Sequence, residues 1–224
     1  MNGAPVTVIG LGPMGQAMTS AYDSPVPTDH YFTAQPASDD ERRVRTVRLA
    51  GRDVDVEVAA GVFSPGGLDK GTAVLLDRVP EPPSSGHLLD LGCGWGPIAL
   101  TLALEAPAAT VWAVDVNERA LDLVRRNAER LGLPNVRAVL PDDVPDDVAF
   151  AACWSNPPIR VGKDALHALL TRWLPRLADG GAAWLVVQKN LGSDSLARWI
   201  TETLDLPVER EASSKGFRVL RVGR

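Results

Sequence analysis

The sequence predicts an α/β fold with a mainly parallel sheet, and three features of the chain support this prediction. From residue 84 onward, short apolar segments alternate with segments whose apolar residues recur at helical spacing. Such alternation is typical of parallel strands joined by crossover helices. Near the C-terminus the alternation stops, and two strand-like segments follow each other across a short turn. We therefore expect an antiparallel hairpin to complete the parallel sheet.

The segment before this sheet, residues 29–83, is interpreted as a preface to the main domain. Two segments alternate apolar and polar residues around a Gly-Arg-Asp turn, which predicts a β-hairpin over Val44–Leu49 and Val54–Val58. A loop rich in Gly and Pro follows. A helix is then expected over residues 73–79, with Thr72 as its N-cap.

Residues 84–224 are interpreted as the core of the domain. Apolar segments bounded by turn residues predict the parallel strands His87–Leu91, Thr110–Val114, Val136–Leu140, Phe150–Ser155 and Ala182–Gln188. Helical spacing predicts the helices Pro97–Leu104, Glu118–Leu131 (with Asn117 as N-cap), Lys163–Leu174 and Ser195–Leu204. The closing hairpin is expected over Val208–Ala212 and Phe217–Val222, with its turn at residues 213–216.

The composition excludes several classes of protein. The chain is 45% hydrophobic and 23% charged, which is ordinary for a globular protein. No apolar run approaches the ~20 residues of a membrane helix, so no membrane association is expected. The two cysteines, Cys93 and Cys153, cannot form a disulfide framework and indicate a cytoplasmic protein. The three histidines are scattered, and we expect no metal site.

The charge distribution gives no clear nucleic-acid signature. The formal net charge is −5, whereas proteins that grip naked nucleic acid are usually basic. Two groups of arginines are interpreted as solvated faces: Arg42, Arg43, Arg45 and Arg48 before the sheet, and Arg125, Arg126 and Arg130 on one helix.

A glycine-rich loop between the first core strand and its helix predicts a ligand site. Its residues are Asp90, Gly92, Cys93, Gly94 and Gly96. Glycines allow positive φ and a close approach of ligand to backbone, and a helix N-terminus presents free N–H groups to negative charge. Asp90, at the end of the strand, is placed to interact with an ammonium group of the ligand.

Acidic residues at the ends of the next two strands predict contacts to a nucleoside. Asp115, followed by Val116, is expected to accept hydrogen bonds from both ribose hydroxyls. Its alternative role is to cap the following helix together with Asn117. After the third strand, Asp142 or Asp143 is expected to accept the amino hydrogens of adenine. Asp142 is favoured, and a solvated acidic turn is the alternative.

A second loop, Asn156-Pro157-Pro158-Ile159-Arg160, follows the fourth strand and is the candidate for the chemistry. The Asn156 side-chain carbonyl and the Pro157 backbone carbonyl are two acceptors that together can hold an amino group. Prolines stiffen the loop, so that its geometry is set before a substrate arrives. Ile159 packs on a ring face, and Arg160 supplies a fixed positive charge for a phosphate or a carbonyl oxygen. The alternative is an ordinary strand-ending turn.

Residues 29–224 resemble the small-domain methyltransferase family that includes the ribosomal RNA small-subunit guanine methyltransferases. The resembling stretches are His30–Phe32, Gly61–Ser64, Leu68–Thr72, Asp90–Gly96, Ser155–Arg160 with Gly162-Lys163, Val186–Asn190 and Lys215–Leu220. The resemblance implies a Rossmann-like, seven-stranded class I methyltransferase fold and S-adenosylmethionine as cofactor. It also implies that the Phe63-Ser64 loop and the Asp69–Thr72 turn, which ends in Thr72, lie over the methionine end of that cofactor.

The same resemblance implies methyl transfer to the exocyclic amine of a guanine in 16S ribosomal RNA, with ribosomal RNA or the small subunit as partner. An amine conjugated to a ring is a weak nucleophile, and two fixed acceptors would aim its lone pair at the methyl carbon. Related enzymes usually carry Tyr or Phe where this chain has Ile159. Two alternatives therefore stay open: a protein glutamine or small-molecule amine as acceptor, and a non-catalytic module that binds the cofactor. The oligomeric state is also open.

Residues 1–28 are interpreted as an appendage without a function of its own. Residues 1–20 resemble the N-terminus of β-hydroxyacid dehydrogenases and imine reductases, because an apolar strand precedes the GxGxxG sequence Gly10–Gly15. Prolines at 25 and 27 break the following helix, and no second strand with a ribose-selecting residue follows. We therefore do not expect nicotinamide binding.

Overall fold

The computed structural model describes residues 42–224. These residues form a seven-stranded sheet, a separate two-stranded hairpin and the helices that pack against them. The strands are β1 (Arg42–Leu49), β2 (Arg52–Ala59), β3 (Ser85–Leu91), β4 (Ala108–Val114), β5 (Val136–Val139), β6 (Phe150–Ser155), β7 (Leu177–Gln188), β8 (Val208–Ser214) and β9 (Phe217–Gly223). The helices are α1 (Lys70–Arg78), α2 (Pro97–Glu105), α3 (Glu118–Leu131), α4 (Lys163–Trp173) and α5 (Ser193–Leu204). The appendage proposed for residues 1–28 and the first part of the preface lie outside the described residues.

The main sheet has seven strands in the order β5-β4-β3-β6-β7-β9-β8. Strands β3 to β7 pair in parallel, and β9 pairs antiparallel with both β7 and β8. After β5 the chain returns across the sheet to place β6 on the other side of β3. The carboxyl ends of β3 and β6 therefore flank a topological switch point, where open α/β sheets bind their ligands.

The sequence-predicted elements are present. Most of their ends differ from the prediction by one or two residues, and three of the differences have a clear structural cause. Helix α1 begins at Lys70, and its N-cap is Asp69 rather than Thr72, because the Asp69 carboxylate accepts hydrogen bonds from the N–H groups of Gly71 and Thr72. The N-cap Asn117 of α3 is confirmed by its hydrogen bond from the Arg119 N–H. The other two of these differences concern strands of the C-terminal half.

Strand β7 begins at Leu177, five residues before the expected start at Ala182. Its Ala-Asp-Gly-Gly sequence suggests a turn, but the structure accommodates these residues in a β-bulge opposite β6. The turn of the C-terminal hairpin contains only Lys215 and Gly216, whose φ values are 48° and 84°. Two positive φ values in a two-residue turn match the twist of the flanking strands, so β8 extends to Ser214.

The β1–β2 hairpin packs on the outside of α3, and the buried Asn127 joins the two. Its side chain accepts a hydrogen bond from the Glu57 N–H (2.6 Å) and donates to the Glu57 and Trp95 carbonyls (3.0 and 3.1 Å). The hairpin is thereby connected to the glycine-rich loop through one side chain. Within residues 42–224, no helix combines the length and the apolar character that a bilayer crossing requires.

Candidate active site

The loops after β3 and β6 meet at the switch point of the sheet, as the sequence predicts for a parallel fold. The buried Ser155, the last residue of β6, donates a hydrogen bond from its hydroxyl to the Leu91 carbonyl, the last of β3 (2.6 Å). This bond fixes the two loops relative to each other.

The glycine-rich loop is held closely against its neighbours. The N–H groups of Gly92 and Cys93 donate to the Val114 carbonyl at the end of β4 (2.8 and 3.1 Å). Gly96 has φ +95°, and a Cβ there would lie 2.9 Å from a methyl of Val124 on α3. Only glycine meets both conditions, so the loop can lie directly against α3.

Asp90 is fully buried beneath this loop. Its Oδ2 accepts a hydrogen bond from the Ala99 N–H in the first turn of α2 (2.9 Å), while its Oδ1 has no partner among the described residues. Burial raises the pKa of Asp90 to about 8, and the negative charge of the nearby Asp115 raises it further, whereas the hydrogen bond from the Ala99 N–H lowers it. A buried carboxyl with one unused acceptor oxygen is suited to a ligand cation, reached directly or through water.

Asp115, at the end of β4, tethers the glycine-rich loop. Its two carboxylate oxygens accept hydrogen bonds from the N–H groups of Gly94 and Asn117 (both 3.0 Å). Burial raises its pKa, and these N–H bonds oppose the rise. Each oxygen keeps a second lone pair, so the carboxylate can also accept from a diol. The adjacent Val116 is 60% exposed and offers an apolar surface beside it.

The acidic turn after β5 is more solvated. Asp142 and Asp143 lie exposed in a short 3₁₀ turn. The favoured adenine contact, Asp142, forms an ion pair with Arg172 on α4 at 2.8 Å. Its contact with adenine therefore stays a prediction.

Asn156, the first residue after β6, is held in a fixed orientation. Its Nδ2 donates to the Asp69 carboxylate (3.0 Å) and to the Thr72 hydroxyl (3.1 Å). Both hydrogens of the amide are thus used, whereas Oδ1 accepts no hydrogen bond from the described residues. The network assigns the amide orientation and leaves the carbonyl oxygen as the available acceptor.

The rest of this loop is a tight turn. Pro158 has φ −75° and ψ 74°, the values of an inverse γ-turn, and the Ile159 N–H donates to the Pro157 carbonyl at 2.8 Å. The Pro157 oxygen, expected to accept from a substrate amine, therefore already has one partner and keeps one lone pair. The side chain of Arg160 lies outside what the structure describes.

The loop after β6 borders a cleft of about 570 Å³. Its lining residues come from this loop, from the segment that leads into α1, from the end of β7 with the turn after it, and from the start of β9: Phe63, Asp69, Lys70, Asn156, Pro157, Pro158, Ile159, Val161, Gln188, Leu191 and Phe217. A much smaller cavity adjoins it under Phe63 and Asp69, and Thr72, Cys93 and Gly94 lie along that cavity. Burial raises the pKa of Cys93 well above its usual range, which argues against a nucleophilic thiol.

The structure thus brings together most of the residues that the sequence suggested, and it adds three that were missed. Asp69 orients Asn156, although 87 positions separate the two residues. Phe217 and Gln188 line the cleft from strands on the far side of β6. All three residues lie in stretches that resemble the family, but no local pattern assigns these roles to them.

Comparisons with known proteins agree with this arrangement. The family model described as "Methyltransferase small domain" matches residues 53–221. The uncharacterized protein YbxB of Bacillus subtilis is 34% identical over 197 residues, which cover 87% of this chain and 98% of that protein. Ribosomal RNA small subunit methyltransferase C of Ectopseudomonas mendocina is also 34% identical over 197 residues, which cover 85% of this chain and 57% of the relative. The chain therefore spans little more than half the length of that relative.

Among solved structures, the T. thermophilus 16S rRNA N2 G1207 methyltransferase, in complex with AdoMet and guanosine, superposes with a TM-score of 0.73. The sequence identity is 23%, and the match covers 84% of this chain and 52% of that one. At this identity the similarity concerns the fold alone.

Proposed function

The chain belongs to the methyltransferase small-domain family, and from this premise we propose that it methylates the exocyclic amine of a guanine in 16S ribosomal RNA. The Rossmann-like class I fold expected from the family resemblance is confirmed by the strand order and by the structural match. S-adenosylmethionine, the cofactor expected from the same resemblance, supplies an electrophilic methyl group on a sulfonium that leaves as a neutral thioether.

The residues around the glycine-rich loop fit such a cofactor. Asp90 offers an unpartnered buried oxygen that suits the ammonium of its methionine part. Asp115 keeps two lone pairs for a ribose diol, and Val116 is exposed beside it for an apolar contact. We assign Gly92, Gly94 and Gly96 to the backbone surface that the ligand covers, with Phe63 and Thr72 on the opposite side of the small cavity.

The orientation of Asn156 is the observation that carries the proposed chemistry. Asp69 and Thr72 use both of its amide hydrogens, so its Oδ1 can accept an N–H bond from the acceptor amine. With the Pro157 carbonyl as second acceptor, the amine lone pair is turned out of conjugation with the ring. The amine proton passes to water after transfer. Positioning thus supplies most of the rate, and no side chain has to act as a strong base.

A second acceptor class is favoured by one observation. The position after Pro158 carries the aliphatic Ile159 rather than an aromatic side chain, so a ring would be held less firmly there. A planar amide such as that of a protein glutamine needs no stacking surface. It would use the same Asn156 and Pro157 acceptors.

Incubation with tritiated S-adenosylmethionine separates these acceptors. Ribosomal RNA, ribosomal proteins and metabolites from cells lacking the gene are offered as separate pools. We expect label in RNA, in a guanine of the 16S species, and no label with Asn156→Ala at equal occupancy by the cofactor. Label in protein or metabolites alone would overturn the RNA assignment, and full activity of Asn156→Ala would overturn the mechanism.

A cytoplasmic location is part of the same proposal. The free thiols of Cys93 and Cys153 are both buried, as suits a protein kept in a reducing compartment. Ribosomal RNA or the small ribosomal subunit is then the partner that shares this compartment.

A further inference from the structure

All four lysines of this chain lie in the segments that border the cleft. Lys70 lines the cleft itself. Each of the other three lies within two residues of a lining residue: Lys163 near Val161, Lys189 next to Gln188, and Lys215 near Phe217. The loops of Lys189 and Lys215 are also in contact, because the Lys189 N–H donates to the Gly216 carbonyl (2.9 Å). We call these four residues the lysine collar.

The lysine collar carries positive charge that nothing in the described part of the chain neutralises. All four side chains are exposed, and none forms an ion pair with a residue of the 42–224 segment. Asp164 adjoins Lys163, and the Asp69 carboxylate in the cleft is engaged by Asn156 and two backbone N–H groups. The mouth of the cleft is therefore locally positive in a protein whose formal net charge is −5.

The arginines of the chain behave differently. Those of the two groups noted in the sequence largely pair with carboxylates: Arg42 with Glu57 and Asp122, Arg48 with Asp53, Arg125 with Glu118, Arg126 with Asp122 and Arg130 with Glu57. These pairs hold the β1–β2 hairpin on α3 or lie on the surface. Most arginines of these groups thus serve the fold. Arg43 and Arg45 form no ion pair within residues 42–224, but they lie on strand β1 and not in the segments that line the cleft. The exposed lysines around the cleft are left for an external anion.

The walls of the cleft are apolar beneath this charge. Val161 and Leu191 are 39% and 44% exposed, and the half-buried Ile159 and Phe217 line the same cleft. An aromatic ring above an amide acceptor, surrounded by exposed ammonium groups, suits a single nucleotide: the base stacks and the backbone phosphates pair with lysine.

We propose that the lysine collar binds the backbone phosphates of a single-stranded RNA segment, whose acceptor base turns out of its stack into the cleft and packs on Phe217. This inference rests on the proposed function and specifies how its substrate is held. The exocyclic amine of a paired guanine is engaged with its partner base, and Asn156 is a half-buried residue in the lining of the cleft. The nucleotide must therefore leave a duplex, or already be unpaired, before the amine reaches Oδ1.

Salt dependence of RNA binding tests the collar. A fluorescent single-stranded RNA oligonucleotide with one guanine is titrated with the full-length protein saturated with S-adenosylhomocysteine. The test variant is Lys163→Gln/Lys189→Gln/Lys215→Gln, which leaves Lys70 in place because it lines the cleft itself. The matched control is Arg43→Gln/Arg45→Gln/Arg52→Gln, three exposed arginines of the hairpin with no ion pair inside the described segment.

For each lost phosphate contact, the slope of log K against log salt falls by about 0.7. We therefore expect the magnitude of this slope to fall by about 2 in the lysine variant, which should also bind the RNA on the order of tenfold more weakly at physiological salt. The arginine variant should keep the wild-type slope and affinity. An unchanged slope in the lysine variant, or an equal loss in the arginine variant, would overturn the collar. Equal affinity for a fully paired duplex of the same sequence would overturn the single-stranded target.

The two proposals can fail separately. If the wild-type protein labels only ribosomal protein, the proposed function fails whatever the slopes are. If it labels RNA and the lysine variant keeps both slope and rate, the collar alone is wrong. Phe217→Leu tests the base-packing step: we expect KM for RNA to rise several-fold while affinity for S-adenosylhomocysteine is retained. An unchanged KM would contradict that step.

Discussion

At the scale of single residues, the proposed chemistry depends on which way one amide points. Asn156 can offer either its oxygen or its NH₂ group to the cleft, and the two faces would have opposite effects on an amine substrate. Asp69 decides between them, because an ionised carboxylate can only accept hydrogen bonds. The same carboxylate caps α1, so the orientation of Asn156 is tied to the start of that helix.

Replacement of Asp69 by Asn should therefore separate catalysis from stability. Asn is as good an N-cap as Asp, so α1 should remain formed. An amide at this position can donate as well as accept, and Asn156 then loses its single orientation. We expect kcat to fall by roughly a hundredfold, the penalty for misplaced groups, with little change in cofactor affinity. Asp69→Ser caps the helix but does not reach Asn156, and it should lose activity equally. Wild-type kcat in either variant would contradict the positioning role.

Asp90 should make the ligand-free protein less stable as the pH rises. Burial raises the pKa of Asp90 to about 8, from a value near 3.8 that applies to the unfolded chain. Between these values the folded state binds a proton that the unfolded state has released, so the stabilisation is complete below about pH 4 and is lost through about pH 8. Urea unfolding at pH 5, 7 and 9 should show this decline in the wild type, reduced in Asp90→Asn. The exposed Asp146→Asn is the control and should retain the decline.

Ligand binding gives the same residue a second readout. An ammonium beside Asp90 favours the carboxylate, so binding of S-adenosylhomocysteine at pH 7 should release close to one proton. Calorimetry in buffers of different ionisation enthalpy measures this number. Asp90→Asn should release none from this position. Absence of proton release in the wild type would show that the ligand cation is not paired with Asp90.

At the scale of elements, the sequence predicted best those helices and strands whose ends are determined by local pattern. Period and capping identified α3 from Glu118 to Leu131, and β6 was predicted with its observed ends. The N-cap of α1 was misplaced because Thr72 and Asp69 are both good caps, and only the contact with Asn156 favours Asp69. The early start of β7 depends on a bulge opposite β6. Pairing across the sheet sets that bulge, and no local signal reports it.

In the candidate site, too, the features that follow from local pattern were predictable and those that depend on long-range pairing were not. Asn156, Asp90 and Asp115 follow strands, and parallel topology brings strand ends together, so their proximity was predictable. The contributions of Phe217 and Gln188 depend on the antiparallel insertion of β9 next to β7. That placement requires long-range pairing, which local periodicity does not encode.

Asn127 is the element-scale connection most open to a test. It is fully buried and satisfies two backbone groups of β2 and the Trp95 carbonyl beside the glycine-rich loop. Asn127→Ala leaves these groups without partners, which should lower the free energy of unfolding by roughly 3 kcal/mol. Urea unfolding measures the loss, and Glu129→Ala on the exposed face of the same helix should change little. A loss below 1 kcal/mol would show that the hairpin is held mainly by its apolar face.

At the scale of the whole molecule, residues 42–224 contain the seven-stranded sheet, its helices and the hairpin that covers α3. The apolar core of this segment consists of three clusters: those on the two faces of the sheet account for most buried side chains, and a third lies between the hairpin and α2–α3. The family match over residues 53–221 falls within the same limits. Every residue assigned above to the cofactor, to the chemistry or to the lysine collar also lies in this segment.

Deletion of residues 1–28 should therefore leave a folded and active enzyme. The sequence after Gly10–Gly15 predicts no second strand with a ribose-selecting residue, so removal of this segment should abolish no cofactor site. We expect the free energy of unfolding to change by less than about 0.5 kcal/mol, as for changes away from a core. Affinity for S-adenosylhomocysteine and the rate of methyl transfer should be retained, and neither the full chain nor the shortened one should bind NADPH. If the shortened chain unfolded or lost the cofactor, residues 1–28 would belong to the catalytic domain, and the domain boundary proposed at residue 29 would be wrong.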